Sequence, residues 1–423
     1  MDYYNHGLYS ATMLFNVQQG TMSPVLPFDI TALIIDIVGE NNDMNLLKEL
    51  ALVSHSFYQI CIKHLFAAVD LHDNGWNFSP SSKKGFVKLV KSRPNVVNYI
   101  RKLTYSMSWD NWNDDDRLLS PILSSFRATN SLLNCIAINI LRDWNKLDSS
   151  LTSAFLHLMR FPTINHIELS NIRNFPFSSL PLSVHRLDIH SLRRFDQPAL
   201  EFVFESEMMP NIREFHTSNS FLLTSKLLHA KMQDGRPAFN FTDLRRLWFF
   251  LMESDDKQNI RHLLQNAKLL EKLHLSVGYG QSLVGFHDIL SPVARTLKVL
   301  SFSVPTDYHS ATLPALAGLC EELEAMAGHY MLEALSIEIF IEDDVTADSV
   351  GSNFQKVENV LVKPGWSALR KVSFNVFSSW RISPNLKEAL QSLPDIYLSH
   401  LSKLESVSFN YSVSVEPASP FLF

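Results

Sequence analysis

An apolar triplet spaced i, i+3, i+5 recurs eleven times between residues 100 and 409, and no other feature constrains the fold of this chain as tightly. It runs from Ile100-Leu103-Tyr105 through Ile164-Ile167-Leu169, Leu244-Leu247-Phe249 and Leu332-Leu335-Ile337 to Leu404-Val407-Phe409. Successive triplets lie about 30 residues apart on average, although only twenty positions separate Ile167 from Leu187. The alternating end of each triplet describes a strand with one buried face, and the remaining residues leave room for a loop and a returning helix. Helical spacing fills several of these returns, at Leu151 to Arg160, Asp255 to Lys268, Pro314 to Met326 and Pro384 to Leu393, and Asp196, Ser349 and Ser383 stand where helix N-caps are expected. One strand and one return cannot bury an apolar face alone, so stacked repeats must share a core. The pattern therefore predicts an α/β fold in which residues 68–414 form a curved solenoid with parallel strands on its inner face. A doubly wound sheet with helices on both faces is the alternative.

If the triplets point inward, the residues between them point outward, because side chains alternate along a strand. The outward columns are chemically loudest in the middle of the repeat array, at Arg186, His216, Arg246, Trp248, Phe250, Lys272 and His274. Clustered aromatic and Arg side chains dominate binding energy at protein interfaces, so these seven are the candidate target-binding residues. Their histidines and cations give the band a basic character compatible with acidic or phosphorylated targets.

Ahead of the repeats, LPFDITALIIDIVGENNDMNLLKELALVSHSFYQICIKHLF (Leu26 to Phe66) carries apolar residues at helical intervals, at Ile30, Leu33, Ile34 and Ile37, then Leu46, Leu47, Leu50 and Val53, then Phe57, Ile60, Cys61 and Leu65. Gly39 to Asp43 punctuates the first two helices. With Leu26-Pro27 at its start and Leu50-Ala51-Leu52-Val53-Ser54 ahead of Phe57, the segment resembles an F-box, most of all the fungal set. Asp29 stands where the family more often has Glu, and Phe57 where it usually has Trp. The strand triplets resemble those of leucine-rich repeats, although Ile172, Leu192, Gly278 and Pro305 occupy places where that repeat ordinarily has Asn.

The two resemblances together imply the substrate receptor of a Skp-cullin-F-box ubiquitin ligase. Leu26, Pro27, Ile30, Ile34, Leu50, Val53 and Phe57 would then carry adaptor binding, and the leucine-rich-repeat-like array would hold an unidentified target protein. The alternative is a leucine-rich-repeat interaction scaffold whose helical segment is a cap with no ubiquitin role. The domain reading is a flexible tail at 1–22, the F-box-like module at 23–67, the repeat array at 68–414 and a C-terminal tail at 415–423.

The 423 residues are 46% hydrophobic and 19% charged, which argues for a folded body. The 37 basic and 43 acidic residues are scattered without a basic block, so neither nucleic acid nor membrane is expected as a partner. No secretory signal pattern and no membrane-spanning run is legible, which points to a cytoplasmic or nuclear protein. Cys61, Cys135 and Cys320 lie far apart, and the sixteen histidines include no His-Glu-x-x-His, so no metal and no cofactor is expected. Gly278-Tyr279-Gly280 lacks the third glycine of a phosphate-binding turn, and no Gly-x-Ser-x-Gly elbow presents a nucleophile. The chain is read as non-catalytic. Asp114-Asp115-Asp116 and Asp255-Asp256 read as solvated helix starts, and Glu342-Asp343-Asp344 as an acidic loop.

Overall fold

The computed structural model describes residues 27–41, 43–72, 82–107, 114–128, 131–191, 209–218, 220–252, 255–278, 281–305, 314–341, 346–378 and 384–415. Leu26, the tail at 1–22, Leu192, Asp196, Tyr279, Gly280, Glu342 to Asp344, Ser383 and residues 416–423 lie outside them. The chain divides into two compact units, with the break between Leu65 and Phe66.

The first unit is three helices, α1 (Phe28–Glu40), α2 (Met44–Val53) and α3 (His55–Leu65). Pro27 precedes α1, and its carbonyl accepts the first backbone bonds, from Ile30 at 3.0 Å and Thr31 at 3.1 Å. Asp43 caps α2 by accepting from the Leu46 amide at 3.0 Å, and the Ser54 hydroxyl caps α3 by accepting from the Phe57 amide at 3.2 Å. Ile35, Leu47, Ile60 and Cys61 form the buried centre, with Leu50, Phe57 and Leu65 among the half-buried residues packed around it. Each such side chain contributes about 1.5–3 kcal/mol on burial, which makes this a thin core. Asp36 ties α1 to α3 through Lys63 at 2.8 Å and His64 at 2.7 Å. Gly39 lets the His64 ring come close, since a Cβ there would collide with it.

The second unit carries twelve parallel strands in one sheet, in strict chain order. They are β1 (Ala68–His72), β2 (Lys102–Met107), β3 (Cys135–Ile140), β4 (His166–Ser170), β5 (Arg186–His190), β6 (Glu214–Ser218), β7 (Arg246–Leu251), β8 (Lys272–Val277), β9 (Val299–Pro305), β10 (Ala334–Ile341), β11 (Lys371–Ser378) and β12 (Ser408–Val415). Val69, Leu103, Ile136, Ile167, Leu187, Phe215, Leu247, Leu273, Leu300, Leu335, Val372 and Phe409 form a single line across it. Ten of these are the middle residues of sequence triplets, and they are buried.

Return helices pack on the triplet side. Phe155 of the helix Ser149–Met159 stands 5.1 Å from Tyr105, and Phe354 of the helix Ala347–Leu361 stands 4.8 Å from Phe374. Sequential parallel order with right-handed crossovers sends successive returns to the same face, whereas a doubly wound sheet needs a reversal of strand order that is absent here.

The expected curved, leucine-rich-repeat-like solenoid is not formed. The strands build one large parallel sheet with interspersed helices, and it does not curl into such a solenoid. Apolar periodicity fixes which face is buried and which residues pair, but curl depends on uniform returns and uniform turns. The returns here range from the three-residue turn Phe177–Ser179 to the fifteen-residue helix Ala347–Leu361. No Asn stands at Ile172, Gly278 or Pro305 to repeat one turn geometry.

Smaller corrections follow from the same geometry. Phe409, rather than Val407, pairs with Val372, so the last strand is slipped by two residues from its triplet. Ser349 lies inside the helix Ala347–Leu361 rather than ahead of it. Asp116 and Asp256 are buried rather than solvated: Asp116 pairs with Lys83 at 2.8 Å, and Asp256 accepts from the Met252 amide at 2.8 Å. Among the described residues no helix is long and apolar enough to cross a membrane.

Candidate functional site

In the helical unit the sequence-derived adaptor residues fall into two groups. Leu50 and Phe57 are half-buried against the centre and hold the helices together. Ile30, Ile34 and Val53 are exposed, Ile34 at 46% and Val53 at 66%, and Leu33, Ile37 and Leu52 are exposed with them. Pro27 is exposed and starts α1, while Leu26 lies outside the described residues. A short bundle that turns this many large apolar side chains to solvent has a face suited to a protein partner.

On the sheet, alternation brings all seven sequence-derived target residues onto neighbouring strands of the face opposite the triplets. His216, Trp248 and His274 stand side by side on β6, β7 and β8. Their rings form a row that His190 of β5 extends, with centroids 4.7 Å apart for His190 and His216, 5.3 Å for His216 and Trp248, and 5.4 Å for Trp248 and His274. Trp248 is 42% exposed and Phe250, two residues on, is half-buried on the same face. Arg186, Arg246 and Lys272 occupy the preceding column.

The cations are largely spoken for. Arg246 pairs with Glu214 at 3.0 Å, and Arg186 reaches Glu214 at 3.8 Å and Asp188 at 2.8 Å. Burial lowers His216 to about 4, with the charge of His190 adding to it, and burial alone takes His274 to about 4. Both imidazoles are therefore neutral near pH 7. The band is an aromatic platform rimmed by closed ion pairs, not the basic surface that the sequence predicts.

Beside the platform lies a polar network that joins Arg186 to Asp188, His166 and Cys135, and none of those last three is among the candidate target-binding residues. Asp188, buried on β5, accepts from His166 Nε2 at 2.8 Å and from Arg186, whose Nε lies 3.1 Å from both carboxylate oxygens. Burial would raise this carboxyl, but the hydrogen bonds and charges of His166 and Arg186 outweigh it and hold it at about 2. Cys135 Sγ lies 3.1 Å from His166 Nδ1, and Lys102 pairs with Glu168 at 3.2 Å.

Cys135, His166 and Asp188 thus form a string of the kind that activates a nucleophile, yet burial pushes the thiol up to about 11, so it stays protonated. Among the described residues two three-residue groups could hold a metal ion: Asp188, His190 and His216, and His166, Glu168 and Asp188, each with donor atoms within 4.8 Å of one another. The signal for these residues was the period-two alternation itself, since each occupies an outward position on β4, β5 or β6.

No family model and no curated protein matches this chain. Among solved structures it is similar to a protein from Bacteroides fragilis, at 14% identity and a TM-score of 0.35, over 82% of this chain and 87% of that one. A likeness that loose carries no argument about fold or function.

Proposed function

We propose that this chain is the substrate receptor of a Skp-cullin-F-box ubiquitin ligase, with the helical unit docking on a Skp-type adaptor and the aromatic platform of the sheet holding a target protein. The observation that carries this reading is the division inside the helical unit. Its centre is filled by Ile35, Leu47, Ile60 and Cys61, while Ile30, Leu33, Ile34, Ile37, Leu52 and Val53 remain exposed. The sequence resemblance supplies the identity of the partner.

In this role the chain forms and breaks no covalent bond and needs no cofactor. It raises the effective concentration of a target lysine near a ubiquitin-charged enzyme held elsewhere in the assembly. Neutral histidines around Trp248 favour a target segment with apolar or planar side chains over a strongly acidic one. The working place is the cytoplasm, the nucleus or both, with neither nucleic acid nor membrane as partner.

The test is co-purification of the full chain with a Skp-type adaptor, beside the Ile34→Glu, Val53→Glu double variant, with folding followed by circular dichroism. Capture by the intact chain and loss in a folded double variant support the reading. No capture by the folded intact chain, or equal capture by the double variant, overturns it and leaves a protein-interaction scaffold.

A further inference from the structure

Asp188 and His190 are alternate residues of β5, so both project from the same face, and His216 of β6 pairs directly across from Asp188. Their donor atoms lie within 4.8 Å of one another. The His190 and His216 rings stand 4.7 Å apart and nearly perpendicular, at 87°. Two imidazoles bound to one tetrahedral ion through bonds of about 2.0–2.1 Å hold their ring centroids roughly 5 Å apart. From the geometry we infer that Asp188, His190 and His216 form a binding site for a divalent transition-metal ion of the zinc class. This inference is independent of the ligase reading.

The surroundings of each ligand fit that role. His190 Nδ1 is 2.8 Å from the Ser218 hydroxyl, which fixes the ring and leaves Nε2 for an ion. His216 makes ring contacts with His190 and Trp248, and no hydrogen bond to its nitrogens is found among the described residues. Asp188 Oδ2 takes His166 and Arg186 Nη2, whereas Oδ1 takes only the shared Arg186 Nε–H, so one lone pair of Oδ1 stays open.

The neighbouring group of His166, Glu168 and Asp188 is less suited. Both His166 nitrogens are engaged, by Cys135 and by Asp188, and Glu168 is held by Lys102. Two imidazoles and one carboxylate suit zinc or ferrous iron rather than calcium or magnesium. His190 and His216 are only half-buried, so the fourth position would be open to water or to a side chain of a bound partner.

The test is titration of Zn2+ into the chelator-treated full chain by calorimetry, together with His216→Phe, which keeps a ring in the row, His190→Phe, and His274→Phe as a control on the same face. We expect one Zn2+ per chain, at least tenfold weaker in the first two variants and unchanged in His274→Phe. A folded intact chain that takes up no Zn2+, or an affinity unchanged in His216→Phe, overturns the site, as does equal weakening in His274→Phe. Should the variants not fold, Co2+ bound to the intact chain decides. The intense visible bands of a four-coordinate ion support the site, and the weak spectrum of an octahedral ion overturns it.

Discussion

Lys83 Nζ and Asp116 Oδ1 meet 2.8 Å apart with both side chains fully enclosed, in two helices more than thirty residues apart in sequence. Tyr105 completes the cluster, donating its hydroxyl to the same oxygen at 2.9 Å while its ring lies 4.3 Å from the ammonium. The pair replaces what the run Asp114-Asp115-Asp116 implies, a solvated helix start.

A buried charge that loses its partner is far more costly than a pair that was never there. Asp116→Ala should therefore destabilise the sheet unit by about 3–5 kcal/mol. Lys83→Met combined with Asp116→Leu should recover most of that loss. Urea unfolding followed by tryptophan fluorescence measures both, and equal losses in the single and double variants would refute the assignment.

The division inside the helical unit gives a second prediction. Leu50→Ala and Phe57→Ala remove side chains packed on the small centre and should cost about 2–4 kcal/mol each, speeding amide exchange throughout α1 to α3. Ile34→Glu and Val53→Glu alter exposed positions and should leave exchange within about 0.5 kcal/mol of the parent while abolishing adaptor capture. Exchange that rises equally in all four variants would show that the exposed face is structural.

Much of the sheet was legible because strand alternation and pairing register are local and periodic. Ten triplet midpoints, Leu103 through Val372, lie on one line across the strands. β1 was not read, although Phe66, Val69 and Leu71 carry the same i, i+3, i+5 spacing, because Phe66 was absorbed into the preceding helical pattern. β12 was misplaced because alternation tolerates a slip of two without turning any side chain over. The expectation of a curved solenoid failed because curl depends on uniform return segments, which this chain lacks, and not on the apolar period alone. At the site, alternation placed Trp248 beside His216 and His274. It could not show that Arg246 is closed by Glu214, or that Asp188 gathers His166, Arg186 and a pair of histidines, since those contacts depend on side-chain geometry between strands.

Trp248 is the test of the platform. The residue is 42% exposed and its ring lies beside two imidazoles, so Trp248→Ala should change stability by about 1 kcal/mol or less. The loss of a central aromatic anchor should weaken the target by about 2 kcal/mol or more, near 30-fold. Quantitative proteomics of captured partners should then show the adaptor retained and other partners depleted. An unchanged partner profile in the folded variant would remove Trp248 from the recognition surface.

His274 makes the platform sensitive to acid. Its imidazole is enclosed by the Trp248 ring and by the hydroxyls of Ser303 at 3.0 Å and Ser276 at 3.3 Å, and Ser303 in turn donates to Glu338. Burial lowers this imidazole from 6.5 to about 4 in the folded chain, whereas the unfolded chain keeps the ordinary value. Between those pH values the unfolded state binds more protons, so stability rises with pH across that window. The contribution is fully present above about pH 6.5 and is lost progressively as the pH falls toward 4, by an amount on the order of 1–3 kcal/mol. Unfolding midpoints in urea from pH 4 to pH 7 should therefore slope upward, and His274→Gln should flatten part of that slope. A His274→Gln profile parallel to that of the parent would place the acid sensitivity elsewhere.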